Sequence, residues 1–243
     1  MIGSKRQEQK AVEKTHSLID SLQLNYAAVV IHDLQTGECH LNDQLVSKAA
    51  LSFSQLGLEF NLFKSPRGED DAIIFLIRST PYKLCLKMLP DVWIATAEHL
   101  RRPNFLETMS NSRYLPNVYF SKIDINDKSI SYLYKYVEGV PLSQFMVKAT
   151  MVQKTEILKS LNKCINELVL EYQLDINFGN LDDFVIDPTD MSYITLIDLN
   201  TVFQASSLIP PEDLLRIVKR RALKMLSKSG FNRDHIFSAL CLI

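Results

Sequence analysis

The chain has 243 residues, with 27 Lys and Arg against 28 Asp and Glu, a formal net charge of −1 and 47% hydrophobic content. That length allows one domain or two small lobes with a real core, and the charge balance gives no electrostatic reason to expect a nucleic-acid or membrane-surface partner. Cys39, Cys85, Cys164 and Cys241 lack the spacing of a zinc site or a disulfide framework, which fits a reducing compartment, and no apolar run approaches the roughly 20 residues of a membrane span.

In chain order, residues 5–23 read as an amphipathic helix, with Val12, Leu18, Ile19 and Leu22 near helical spacing. Tyr26–Asp33 and Glu38–Leu41 read as a hairpin around a turn that contains Gly37. Residues 42–58 are ambiguous, with a helix through Leu45 to Leu56 as the reading they allow. Strand patterns follow at 58–63, 72–78 and 82–89, separated by turns at Pro66-Arg-Gly68 and Ser79-Thr-Pro81. Helical character returns at 91–101 and 104–112, broken by Pro103, and a strand pair follows at 117–123 and 130–137.

The second half is mostly helical. Ile157, Leu158, Leu161, Ile165, Leu168 and Val169 form a 3.6-residue stripe within 151–172. A loop at 173–180 leads to strands at 183–187 and 193–198. Pro210-Pro211-Glu-Asp starts a helix that Gly230 stops. The reading is an α+β chain with a helix-plus-hairpin extension over 1–58, a strand-rich lobe over 59–138 and a helical lobe over 139–243.

Three patches carry chemistry. Lys87 alternates with Lys83 and Cys85 on one strand face, where an amine is costly to bury unless it meets an anion. Glu107, with Glu98 as its rival, is the carboxylate expected to hold it. Asp175 and Asn180 are five residues apart between a long helix and a strand. The Asp suits a general base beside an attacking hydroxyl, the Asn a metal-binding carbonyl, and Gly179 a tight turn. Asp198 follows the β-rich run Tyr193-Ile-Thr-Leu-Ile, and a carboxylate leaving a strand end suits Mg²⁺. Taken singly, each is also read as a surface lysine, a capping acid or a turn residue. Their order, Lys then Asp-x-x-x-x-Asn then Asp, is the equipment of ATP-dependent phosphoryl transfer.

On these residues the chain resembles the protein kinases, cut to a minimum. Ile130–Ser143 resembles the last strand of the N-lobe, the hinge with Tyr136 beside the nucleotide, and the start of the first C-lobe helix. Asp175-Ile-Asn-Phe-Gly-Asn180, Ile197-Asp198 and the tail over 210–243 are similar to the bacterial type III effector kinases of the OspG and NleH type. The resemblance covers about 60–243. It implies a two-lobed kinase-like fold with a truncated helical C-lobe and no activation segment, since no Ala-Pro-Glu occurs after Asp198. It further implies ATP and Mg²⁺ as cofactors and transfer to a Ser/Thr hydroxyl of a protein or of the chain itself. Secretion into a host cytoplasm, with a host protein as substrate and ubiquitin or a ubiquitin-charged conjugating enzyme as activator, is implied as well.

The chain departs from that pattern in three places. Gln173-Leu-Asp175 stands for His-Arg-Asp, and Asp198-Leu-Asn200 lacks its Gly. The phosphate-covering loop, Ser65-Pro-Arg-Gly68-Glu-Asp-Asp-Ala72, offers one Gly and three acids, with Arg67 their local counter-charge. These departures keep open a pseudokinase or binding module on the same fold. A small-molecule kinase of the aminoglycoside-phosphotransferase kind also uses Asp-x-x-x-x-Asn.

Weaker features read more simply. The basic residues of the last long helix (Arg216, Lys219, Arg220, Arg221, Lys224 and Lys228) are expected on a solvated face. His32, Cys39 and His40 lack a fourth zinc ligand. Tyr132, Tyr134 and Tyr136 alternate along one strand face and are expected in packing.

Overall fold

The computed structural model describes residues 2–33, 35–36, 38–65, 71–90, 112–124 and 129–240. Its architecture is mixed α+β, with seven α-helices and four antiparallel sheets among the described residues. These residues divide into two compact units. One holds the residues before 91 together with Asn117–Tyr136, and the other holds Ser112–Pro116 with Val137 onward.

The first unit is a sheet capped on one face by helices. α1 (Ile2–Ser21) turns Ala11, Val12, Leu18 and Ile19 toward the core, and Leu22 packs there just past its end. The expected strand from Tyr26 is corrected. Asn25 accepts the Ala28 N–H at 2.8 Å and caps a single helical turn, α2 (Tyr26–Val29). Only Val30–His32 remains as β1, paired with β2 (Cys39–Leu41). Asn42 then caps α3 (Asp43–Gln55) by accepting the Leu45 N–H at 3.2 Å, which settles the ambiguous 42–58 stretch as helix.

Five strands follow: β3 (Glu59–Lys64), β4 (Ile73–Ser79), β5 (Tyr82–Pro90), β6 (Val118–Asp124) and β7 (Ser129–Lys135). They form one antiparallel sheet in the order β3-β4-β5-β7-β6. Because side chains alternate, Ile73, Phe75 and Ile77 of β4 and Leu84, Leu86 and Met88 of β5 share one face. That face forms one core with Ala11, Ile19, Val29, Ala49 and Phe53 of the three helices. Each buried Val, Leu, Ile, Met or Phe among them contributes roughly 1.5–3 kcal/mol by leaving water. The described residues before Glu59 therefore cover the sheet face opposite Lys87. Glu8 adds a polar tie: its carboxylate accepts the Tyr119 hydroxyl and pairs with Lys135 at 3.3 Å.

In the second unit, β8 (Val140–Pro141) leads into α4 (Leu142–Lys148). Thr150 and Gln153 close a capping box at the start of α5 (Met151–Leu170). The apolar stripe of α5 is fully buried and packs on β11 (Asp190–Leu196), α6 (Pro211–Lys228) and α7 (Arg233–Leu240). β10 (Phe184–Asp187) pairs with both β8 and β11, while β9 (Leu174–Ile176) pairs with β12 (Val202–Gln204). Gly139 has φ +151°, and a Cβ there would lie 2.6 Å from the Ile186 carbonyl oxygen and closer still to the Val185 side chain. Only glycine lets the chain entering β8 lie this close to β10. Among the described residues, no helix is long and apolar enough to cross a membrane.

Candidate functional site

Lys87 occupies β5, the third and middle strand of the five-stranded sheet, and is 6% exposed. It pairs across the sheet with Ile74 on β4 and Tyr132 on β7. Its neighbour on the same face, Cys85, feels it. Burial pushes the Cys85 thiol up to about 11, against a downward pull from the Tyr134 hydrogen bond and the Lys87 charge. Lys83 lies on that strand face too but is exposed, with its amine 5.9 Å over the ring of Tyr136. Tyr136 is half-buried, donates its N–H to the Lys83 carbonyl at 3.0 Å and meets Phe63 edge-on. Glu107, its rival Glu98, Gly68 and Arg67 lie outside the described residues.

The second unit brings Asp175, Asn180 and Asp198 into one hydrogen-bonded framework. Its organiser is Asp183, which sequence reasoning passed over. Asp183 is 4% exposed. Its carboxylate accepts the Gly179 N–H at 2.8 Å and the Asn180 N–H at 3.1 Å. Its own carbonyl accepts the N–H groups of Ile197 at 2.7 Å and Asp198 at 3.4 Å. One residue thus ties the end of the Asp175–Asn180 loop to the strand end that carries Asp198. The expected role of Gly179 is corrected accordingly. Its φ is not left-handed, and what favours glycine is the Asp183 carboxylate, 3.3 Å from where a Cβ would stand.

The same framework extends past Asp198. Thr201 donates both its N–H and its hydroxyl to the Asp198 carbonyl, at 3.1 and 2.7 Å, and its own carbonyl accepts the Asn177 N–H at 2.8 Å. β12 then pairs with β9, with Phe203 opposite Asp175. The chain after Asp198 is therefore bonded to the strand that holds Asp175.

Arg221 is the second residue that the sequence hid. From α6 its guanidinium donates to the Asp175 carboxylate and, at 3.2 Å, to the Ile176 carbonyl. Both side chains are about a third exposed, and Lys219 on the same helix is buried at 8%. The expectation of a wholly solvated basic face fails for these two residues, because Arg221 is drawn inward by an acid 46 residues earlier in the chain.

Gln173, where the kinase pattern has His, adopts φ +53°, a left-handed conformation that is uncommon for a side-chain-bearing residue. It follows α5 and turns the chain into β9. Its carbonyl accepts the Ala205 N–H at 3.0 Å.

Of the expected metal ligands, Asn180 would bring an amide oxygen and Asp198 a carboxylate. Asn180 is exposed, and its Oδ1 already accepts the Asp182 N–H at 2.7 Å, which leaves a second lone pair for a cation. Asp198 is half-buried. Magnesium is commonly held by one or two protein oxygens, with water and phosphate completing the shell, so these donors fit it. Among the described residues, no group of three or more His, Cys, Asp or Glu is gathered as a metal cage. His32 and Cys39 do meet, with Sγ and Nδ1 3.3 Å apart, but as a pair. Comparison with protein-family models and with curated proteins returns no match.

Proposed function

We propose that this chain is an atypical ATP-dependent protein kinase, with Asp175 as general base, Lys87 on the α- and β-phosphates and Asn180 with Asp198 as Mg²⁺ ligands. The observation that carries the reading is the Asp183 network, which holds the Asp-x-x-x-x-Asn loop and the Asp198 strand end as one piece. Further support comes from Lys87. The corresponding lysine of protein kinases lies on their third strand, and Lys87 is buried on the third strand of the five-stranded sheet. A two-lobed kinase-like fold belongs to the same proposal.

When bound, Mg²⁺ neutralises charge on the phosphates. The residues of the chain supply the rest. Asp175 keeps one carboxylate oxygen for Arg221, which leaves the other to accept the proton of a substrate hydroxyl. Arg221 fixes that carboxylate from behind by also holding the adjacent Ile176 carbonyl. Lys87 brings a positive charge from the middle strand of its sheet to the α- and β-phosphates. The resemblance extends the proposal to a bacterial effector working in a host cytoplasm, activated by ubiquitin or a ubiquitin-charged conjugating enzyme.

The test is transfer of labelled γ-phosphate from Mg-ATP to the chain or to host-lysate proteins, with and without that activator. Wild type should label, and Asp175→Asn should lose about 10²- to 10⁴-fold while keeping its circular-dichroism spectrum. Equal labelling by Asp175→Asn would remove Asp175 as the base. No labelling by wild type, together with a thermal shift on adding Mg-ATP, would make the chain a nucleotide-binding pseudokinase.

A further inference from the structure

Beside the Asp175–Asn180 loop, the second unit contains a cavity of about 440 Å³. One wall is Asn180, Leu181 and Asp182, which continues the proposed metal-binding residue directly into the cavity. The others come from α4, the first turns of α5 and the link between α6 and α7. We infer that this cavity is a substrate-recognition pocket, and that it takes a large apolar side chain from a protein segment with an acidic residue next to it. The inference rests on the kinase reading and adds the class of acceptor.

The lining decides between occupants. Met146, Leu158 and Leu181 are buried and apolar, with Phe231 beside them, so an occupant gains by shedding water from hydrocarbon. Methionine walls adapt to side chains of different shape. The apolar surface continues outward: Val147 is 82% exposed and Met151 56%, both lining the cavity, and Val152 beyond them is 74% exposed. Three exposed apolar side chains within six residues, at the mouth of an apolar cavity, are the mark of a surface that another molecule covers.

Charge selects further. Among the described lining residues Asp182 is the one acid, and its carboxylate accepts the Ser143 hydroxyl. Lys154 also lines the cavity and brings a cation to it. A polycationic aminoglycoside needs several carboxylates, and this wall presents a single acid that already has a partner. A peptide with an aromatic or long aliphatic side chain and a neighbouring acid satisfies both the floor and Lys154. The volume lies in the lower part of the range for pockets that enclose a ligand, about 300–1,000 Å³, and suits one such side chain with its adjoining backbone better than an oligosaccharide.

The experiment has two arms on the full-length chain. In the first, a positional-scanning peptide library with a fixed Ser/Thr acceptor is incubated with labelled Mg-ATP and wild type, Val147→Asp or Met151→Asp. Wild type should prefer Phe, Leu or Met over Ala at least tenfold at one position near the acceptor. Both variants should lose that preference while labelling the pooled library without selection. In the second arm, methyl-labelled methionine is followed by NMR as the Phe-fixed and Ala-fixed pools, and separately kanamycin, are added without ATP. The Met146 and Met151 methyls should shift with the Phe pool and at least tenfold less with the Ala pool.

Labelling with no apolar preference would overturn the pocket and leave the kinase reading standing. Shifts caused by kanamycin and not by peptide would also overturn it, in favour of a small-molecule acceptor. Methyl shifts with the Phe pool that Val147→Asp abolishes, without any labelling, would support the pocket and sink phosphoryl transfer. Neither labelling nor shifts would overturn both.

Discussion

Lys87 sits on the middle strand of a five-stranded sheet with only 6% of its surface exposed, whereas Asp175, Asn180 and Asp198 sit half-buried or exposed on short strands and turns of the other unit. The lysine is located by burial: Ile74, Cys85 and Tyr132 surround its strand position, and α1–α3 lock the opposite face. The acids are located by hydrogen bonds that converge on Asp183 and Arg221. A residue placed by packing depends on many small contacts. One placed by a network depends on a few polar groups whose loss leaves buried partners unsatisfied. The first kind should resist single polar substitutions, and the second should not.

The sharpest break in this contrast is Asp183→Ala. Two backbone N–H groups lose a charged acceptor, and a hydrogen bond of that kind is worth about 1.5–3 kcal/mol, less where water can replace it. A loss of about 2–4 kcal/mol should appear in urea denaturation, with faster hydrogen exchange at Gly179 and Asn180. An unchanged midpoint would mean that Asp183 does not hold the loop.

Burial on the sheet side has its own signature in pH. Burial raises the Cys85 thiol from 9.0 to about 11, so between those values the unfolded chain has released a proton that the folded chain still keeps. Stability must therefore fall as pH rises through that window, by roughly 2–3 kcal/mol from this group. Cys85→Ala should flatten that part of the pH–stability curve, and an equally steep curve would place the thiol in contact with water.

The smallest effect sharpens the network side. Gln173 holds φ +53° just after α5, a conformation that glycine adopts without strain. Gln173→Gly should add about 0.5–1 kcal/mol to stability, read as a higher melting temperature. A destabilised variant would show that the Gln173 side chain itself contributes there.

Much of the fold was legible in the sequence because its signals are local. The stripe from Ile157 to Val169, the Pro210-Pro211 start and the strands at 73–79 and 82–90 all read from period or capping alone. Tyr26–Val29 misled for a physical reason. Its apolar residues run on into the β-branched Val30-Ile31 and so favour strand, but the Asn25 side chain caps a helical turn, and Asn42 donates to the Ala28 carbonyl at 3.1 Å from across the hairpin. Arg221 and Asp183 were illegible for a different reason. An arginine in a basic helix and an acid in a turn look solvated until the chain folds, and their partners lie far away or on main-chain groups. The packing of α1 and α3 on the sheet was hidden likewise, since an amphipathic helix shows that it has a buried face but not what covers it.

The central claim is that the Asp183 network holds Asn180 and Asp198, both in the second unit, to act on one magnesium nucleotide. A double-mutant cycle on Mg-ATP affinity, measured by calorimetry with wild type, Asn180→Ala, Asp198→Ala and the double variant, tests it most directly. The account predicts that each single change weakens binding, and that the double falls short of their sum by about 1 kcal/mol or more. Effects that add to within about 0.5 kcal/mol, or single variants that bind like wild type, would contradict it.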